Sequence, residues 1–135
     1  CDYNYLWNTF VNDCQAMSVC PDLLDILVDY KENCKTVLIT DNMDCFDRFT
    51  VPALKLEQYF THIVNSYCYN TTKGEDTSLF IAASNVCDFD IRSSILIDNS
   101  KKNCQFFESL GGTSYLVSTL EDTKKVLSTK LCGPQ

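Results

Sequence analysis

The stretch SILIDNS at residues 94–100 is a short apolar run that ends on the carboxylate of Asp98 and continues into polar residues. A run without alternation between apolar and polar positions is typical of a strand that is buried on both faces of a sheet. The stretch VLITDN at residues 37–42 follows the same plan and ends on Thr40. Such strands need helices on both sides, so these two stretches predict an α/β fold with a mostly parallel sheet.

The segments around these two strands have either apolar residues at helical spacing or further short apolar runs. The pattern predicts further strands at residues 62–67 and 115–117. It predicts helices at 5–17, from Pro21 to about 33, 43–59 with a break at Pro52 or as two shorter helices, 77–86, 101–110 with a stop at Gly111-Gly112, and 120–127. Alternation of this kind predicts a Rossmann-like three-layer α/β/α sandwich, and 135 residues fit a single domain over residues 1–135.

Composition and charge narrow the class of partner. The formal net charge is -7, which argues against a nucleic-acid or anionic-membrane surface because both need clustered Lys and Arg. No apolar run approaches the roughly 20 residues that a membrane span requires. An acidic chain still binds a small phosphorylated substrate when a metal ion offsets the charge.

The nine cysteines do not form a recognisable framework. No pair has the C-x-x-C spacing of zinc and redox sites, and several lie inside apolar runs, where a free cysteine behaves as a small hydrophobe. The sequence therefore favours reduced thiols in a cytoplasmic protein. A secreted, disulfide-built protein is the alternative, and the sequon at residues 70–72 is its other support.

Three polar groups follow predicted strands or their loops. Thr40 ends one strand, Asp98 ends another, and Lys73 lies in the loop after a third. Ligands of parallel α/β sheets bind at the carboxyl ends of the strands, and a hydroxyl and a lysine grip phosphate oxygens while a carboxylate suits Mg²⁺. Each residue alone has a structural alternative, as a helix cap or a solvated charge, but the order and spacing favour a phosphate site.

This ordered set resembles the haloacid dehalogenase (HAD) superfamily over roughly residues 20–128. VLITDN at 37–42 is similar to the second motif of that superfamily, Lys73 and the helix after it resemble the third, and SILIDNSKKN at 94–103 resembles the fourth. The resemblance implies a magnesium-dependent phosphohydrolase that acts on a small phosphomonoester through an aspartyl-phosphate.

The resemblance also implies residue roles. Thr40, with Asp41 and Asn42, would bind the phosphoryl group, Lys73 would orient nucleophile and phosphate, and Asp98 and Asn99 would hold the metal. Asn99 stands where many relatives have a second acid, and Gly74 follows Lys73 where Pro is frequent.

The first motif of the superfamily, an apolar strand followed by Asp-x-Asp, has no intact counterpart. The nearest candidate is DYN at residues 2–4, where Asp2 would be nucleophile and metal ligand and Asn4 cannot shuttle a proton. Three explanations stay open. In the first, the nucleophile strand and the cap domain lie upstream, and residues 1–18 are the end of that cap. In the second, Asp2 is a variant nucleophile after a clipped strand. In the third, the protein is a degenerate binding or scaffold protein with the same fold.

Overall fold

The computed structural model of the chain describes residues 2–130, which divide into two compact units, one up to Asn70 and one from Thr71 on. No helix among the described residues is both long enough and apolar enough to cross a membrane. The prediction of one domain over residues 1–135 stays a prediction.

The first unit contains a pair of parallel strands with helical segments before and between them. Its elements are α1 (Tyr3–Gln15), α2 (Pro21–Lys31), β1 (Val37–Thr40), a π-helix (Phe46–Thr50), α3 (Val51–Leu54), a 3₁₀ turn (Leu56–Gln58), β2 (His62–Asn65) and a second 3₁₀ turn (Ser66–Tyr69). The register of β1 on β2 runs from Val37 opposite His62 to Thr40 opposite Asn65. Phe46, Val51 and Leu56 are the buried core between the strands and the helical connection.

For the connection after β1 the sequence predicts a break at Pro52 or two shorter helices. The structure has several short helical segments, but Pro52 does not break them. Pro52 lies in the first turn of α3, where a missing N–H costs nothing because that group has no intrahelical partner. The break occurs instead at Lys55, whose backbone is left-handed with φ 52°. β2 also ends two residues before the predicted 67, because the Asn65 side chain accepts a hydrogen bond from the Tyr67 backbone N–H and begins a 3₁₀ turn.

The second unit repeats the plan of a parallel pair joined through a helix. Its elements are α4 (Ser78–Cys87), a 3₁₀ turn (Ile91–Ser93), β3 (Ile95–Asp98), α5 (Lys101–Ser109), β4 (Thr113–Leu116) and α6 (Leu120–Lys130). Ile95 pairs with Thr113 and Asp98 with Leu116 at the two ends of the register. Two parallel pairs with helical crossovers confirm the predicted α/β class.

The core of the second unit forms around α4 and α5. Leu79, Phe80 and Ala83 are fully buried, and the Phe80 ring meets the Phe107 ring edge-on at a centroid distance of 5.3 Å. The predicted glycine stop of α5 is confirmed, since the helix ends at Ser109 and Gly111 has φ 92°. α5 also contacts β3, the strand that ends at Asp98.

Candidate functional site

Asp98, the last residue of β3, is a buried carboxylate with several donors around it. Lys73 Nζ lies 2.9 Å from Asp98 Oδ2, and the two side chains are only 16% and 5% exposed. The backbone N–H of Ser100 donates to Oδ1 at 2.8 Å. Asn103 Nδ2 lies 3.3 Å from Oδ1 and 3.2 Å from Oδ2. The structure therefore brings two of the three principal predicted site residues, Lys73 and Asp98, into direct contact.

The loop that carries Lys73 is held by its own side chains. Thr71 Oγ1 and the Thr72 N–H both donate to Glu75 Oε2 at 3.0 Å. At Gly74, an added Cβ would come within 3.7 Å of Asn103 Oδ1, so the loop backbone passes close to the first turn of α5. Lys73 therefore lies in a turn that is closed by hydrogen bonds on either side of it. A lysine that is only a solvated surface charge does not need its backbone to be held in this way.

Opposing effects act on the ionisation of Asp98. Burial raises the pKa of its carboxyl, but hydrogen bonds from Lys73, the Ser100 backbone and Asn103, together with the Lys73 charge, outweigh burial and hold that pKa below its usual value. Asp98 is therefore an anion at neutral pH. A buried anion beside a lysine is suited to bind a cation and to help orient a phosphate.

The helix-cap alternative for Asp98 does not apply. The N-cap of α5 is Ser100, whose side chain accepts from the Asn103 N–H at 3.3 Å. Asn99 is exposed, and within residues 2–130 no hydrogen bond is seen between its side chain and Asp98.

Asn103 is a site residue that the sequence reasoning did not single out. It lies inside the stretch resembling the fourth motif, five positions after Asp98, and it is 7% exposed. The signal available in the sequence was an asparagine in the first turn of a predicted helix, shortly after the acid that ends a predicted strand.

The carboxyl ends of β1 and β2 carry a hydrogen-bond network of uncharged side chains that also reaches one carboxylate, that of Asp47. Asn42 Nδ2 donates to Thr40 Oγ1 at 2.6 Å, and the Asn42 N–H donates to Asn65 Oδ1 at 3.2 Å. Thr40 does not cap a helix, and Asp41 is exposed. Thr40 and Asn42 are therefore in contact as neighbours, while Asn65, which the sequence reasoning missed, is the buried centre of the network.

Asn65 also reaches the connection after β1. Its Nδ2 donates to the Met43 carbonyl at 3.0 Å and to Asp47 Oδ2 at 3.3 Å. A cavity of about 230 Å³ opens beside these groups. Its lining residues are Asp47, Val51, Glu57, Ile63, Asn65, Cys68 and Tyr69. The polar side chains at this edge of the first unit are thus fixed by one another.

Asp2 begins a helix. Its carboxylate is the N-cap of α1 and accepts from the Asn4 N–H at 2.9 Å. Any short polar acceptor satisfies that geometry, so capping neither requires nor excludes a chemical role for this carboxylate. The predicted role of Asp2 as nucleophile and metal ligand stays a prediction.

The donors available for magnesium are few. Among residues 2–130 no group of three or more His, Cys, Asp or Glu side chains is arranged to hold a metal ion. Mg²⁺ nevertheless is often bound through one or two protein carboxylates, with water and phosphate oxygens as its other ligands. The buried, anionic Asp98 fits as one such carboxylate.

Comparison with known proteins gives the fold. No family model matches the chain, and no curated protein matches it. Among solved structures, the HAD family enzyme BT-2542 of Bacteroides thetaiotaomicron superposes with a TM-score of 0.73 over 82% of this chain, at 22% identity. That enzyme has also been solved with magnesium and inorganic phosphate, at 23% identity to this chain.

A second neighbour agrees with the first. An uncharacterised protein from Corynebacterium glutamicum superposes with a TM-score of 0.64 over 77% of each chain, at 16% identity. The chain spans 57% of the length of the Bacteroides enzyme. These likenesses confirm a HAD-like, Rossmann-like α/β fold.

Proposed function

We propose that this chain is a HAD-like, magnesium-dependent phosphohydrolase that acts on a small phosphomonoester. The observation that carries the proposal is the 2.9 Å contact between Lys73 Nζ and Asp98 Oδ2 at the end of β3. An ion pair between two mostly buried side chains is weak evidence for stability alone, because desolvation offsets much of the attraction. Its presence at the ligand edge of a strand therefore supports a functional role.

Each group of the pair has a distinct part in the proposed chemistry. Lys73 holds Asp98 in place and neutralises negative charge on a phosphate oxygen. Magnesium, when bound to Asp98, would supply Lewis-acid stabilisation of the phosphoryl group. The Asn103 hydrogen bonds to both Asp98 oxygens are longer than the Lys73 bond, and they help to fix the orientation in which this carboxylate would meet a cation.

The neighbouring enzyme supports the ligand class. The Bacteroides protein of the same fold binds magnesium and inorganic phosphate in its solved complex. For this chain we propose the same two ligands, with Thr40, Asp41 and Asn42 as phosphate-binding residues and Asn99 as an additional oxygen ligand. Asp2 is the proposed nucleophile, and its carboxylate would attack phosphorus while the alcohol of the phosphomonoester departs.

The test is turnover of a generic aryl phosphate, with magnesium and with a chelator. We expect magnesium-dependent turnover by the unmodified chain and its loss in Asp98→Ala. Asp25→Asn, which changes an exposed carboxylate on α2, is the matched control and keeps full turnover. Equal turnover by Asp98→Ala and the control would contradict the proposal.

The nucleophile has its own variant. Asp2→Asn keeps a side chain that caps helices well, so α1 stays formed while the attacking carboxylate is removed. Turnover that disappears in Asp2→Asn assigns the nucleophile to Asp2. Turnover that persists assigns the attack to another group.

A second candidate function is a non-catalytic, phosphate-binding protein with the same fold. The observation that favours it is that Asp2 begins a helix, whereas the nucleophile of the resembling superfamily follows a strand. Titration calorimetry with inorganic phosphate and magnesium separates the two candidates. Binding without turnover, lost in Asp98→Ala, supports the second.

A further inference from the structure

The outer edge of β2 has no strand beside it in the part of the chain that the structure describes, where β2 is hydrogen-bonded to β1 alone. The His62 backbone N–H donates to the Thr36 carbonyl at 3.3 Å, so the His62 backbone faces the side of β1. Backbone groups of successive residues in a strand point to opposite edges, so the N–H and C=O of Ile63 point to the outer edge. An unpaired edge of this kind is a template for another strand.

Two cavities lie along this edge. Their volumes are about 230 Å³ and about 300 Å³, and both are lined by Glu57 and Ile63. The larger one is also lined by His62, whose side chain and that of Ile63 point to opposite faces of the strand. A cavity that contacts both residues therefore reaches an edge of β2, and the edge that β1 leaves open is the outer one.

The cavities contain two carboxylates without a cationic partner. Asp47 is half-buried, and its Oδ2 accepts from the Asn65 amide at 3.3 Å and from the Cys68 thiol at 3.9 Å. Glu57 is exposed, and the nearby Lys31 ammonium donates to the Glu57 backbone carbonyl at 3.2 Å. Among the described residues, no lysine or arginine forms an ion pair with either carboxylate. The outer edge therefore combines negative charge with backbone groups that face outwards.

We propose that the outer edge of β2 binds an extended, basic peptide segment of a partner protein as an added strand. Main-chain hydrogen bonds to the Ile63 backbone would supply affinity, and basic side chains beside Asp47 and Glu57 would supply specificity. Both carboxylates belong to the connection between β1 and β2. Residues two apart in a strand point to the same face, so the segment has basic residues at alternate positions.

Charge favours a basic peptide over a second copy of this chain at the edge. The formal net charge of the chain is -7, so two copies repel one another. Pairing of β2 with β2 of a second copy would also bring Asp47 and Glu57 of both copies to one interface, and like charges across an interface lower affinity. A basic segment removes this repulsion.

The test is titration calorimetry of the chain, without magnesium or phosphate, with the peptide acetyl-Val-Lys-Val-Lys-Val-amide. We expect this peptide to bind and its counterpart with glutamate in place of lysine not to bind. Two further peptides carry N-methyl groups on the backbone nitrogens of either the valines or the lysines. Because alternate N–H groups of an added strand point towards β2, only one of these two should bind about tenfold or more weakly.

Variants locate the basic side chains of the peptide. Asp47→Asn should weaken binding of the lysine peptide by about tenfold, because Asp47 is half-buried, and Glu57→Gln by about threefold, because Glu57 is exposed. Asp25→Asn removes the same charge from the exposed face of α2 and should leave binding unchanged. Equal effects of all three variants would show that net charge alone governs binding, and would overturn the proposal.

The peptide comparison decides the proposal even if a variant fails to fold, because it uses the unmodified chain. No binding of the lysine peptide, or equal binding of the lysine and glutamate peptides, would overturn it. Equal weakening by the two sets of N-methyl groups would rule out an added strand. A dimer of the chain alone in sedimentation equilibrium, dissociated by the lysine peptide, would assign the edge to a second copy and also overturn the proposal.

Discussion

The ends of β1 and β3 follow one sequence plan and reach different structures. Both strands are short apolar runs that continue into polar residues, with Thr40 at one end and Asp98 at the other. At the end of β1, the Thr40 hydroxyl contacts only the neutral Asn42 amide among its described hydrogen-bond partners. At the end of β3, Asp98 is surrounded by a lysine, a backbone N–H and the Asn103 amide.

The difference teaches where charge is concentrated. A charge-assisted hydrogen bond is roughly twice as strong as a neutral one, and burial strengthens it further. The end of β3 therefore forms a site with a lysine and a carboxylate in contact. The hydrogen bonds at the end of β1 centre instead on the uncharged Asn65 amide, and the one charged partner described there is the Asp47 carboxylate. Substitutions at the ends of the two strands should therefore differ in effect. We expect a large loss of turnover at the end of β3, and a small change in turnover and in the free energy of unfolding at the end of β1.

Removal of the Lys73 charge should have the largest effect. We expect Lys73→Gln to lower aryl phosphate turnover by about 10²- to 10³-fold, because a positive charge at the phosphoryl group is lost. Lys101→Gln is the matched control, since Lys101 is an exposed lysine in the first turn of α5. Similar losses in steady-state turnover for both variants would mean that general positive charge matters and the ion pair does not.

Acid should remove the contribution that the Asp98 carboxylate, at the end of β3, makes to the free energy of unfolding. The pKa of Asp98 is lower in the folded chain than in the unfolded chain, where it is about 4. The stability that this difference contributes is therefore fully present above about pH 4, and it is lost as pH falls through the lower pKa of the folded chain. We expect Asp98→Asn to reduce the free energy of unfolding by about 2 kcal/mol at neutral pH. This difference from the unmodified chain should shrink below about pH 4.

Urea unfolding at a series of pH values measures that difference. The pKa values of Asp76 and Asp122 are also lowered, by hydrogen bonds from Ser78 and from Ser118 and Thr119. Comparison with Asp98→Asn removes their contribution, because both proteins share it. A difference that stays constant with pH would mean that Asp98 ionisation does not stabilise the fold.

The two buried asparagines offer a matched pair. Asn103→Ala and Asn65→Ala should each lower the free energy of unfolding by about 1–2 kcal/mol, because each removes hydrogen bonds to buried groups. Only Asn103→Ala should also weaken magnesium binding, since Asn103 contacts Asp98. Calorimetric titration with magnesium measures this binding. Equal weakening of magnesium binding in both variants would mean that the contact between Asn103 and Asp98 has no specific role in it.

The smallest effect should follow from a change at the end of β1. Thr40→Val keeps the branched shape that suits a strand and removes the hydroxyl, so we expect the free energy of unfolding to change by about 1 kcal/mol or less. If Thr40 binds phosphate, turnover falls by about tenfold, and Thr40→Ser restores it. A Thr40→Val protein with full turnover would confine the phosphate site to the Lys73–Asp98 pair.

The sequence singled out Lys73 and Asp98 as candidate site residues because their residue types are informative. Lys73 and Asp98 stand out where an apolar run or a polar loop meets a charge, and their order along the chain matches the resemblance. Asn65 and Asn103 gave no such signal, because an asparagine is common in turns and at helix starts. Their importance follows from burial, which depends on residues distant in the chain.

By itself, the sequence determined the α/β class and the strands that end in polar groups, because apolar periodicity is a local property. It also determined the glycine stop of α5, because positive φ favours glycine. The tertiary structure decided which polar groups meet. It paired Lys73 with Asp98, and it moved the break after β1 to Lys55. These contacts join residues far apart in the chain, so packing sets them and local preference does not.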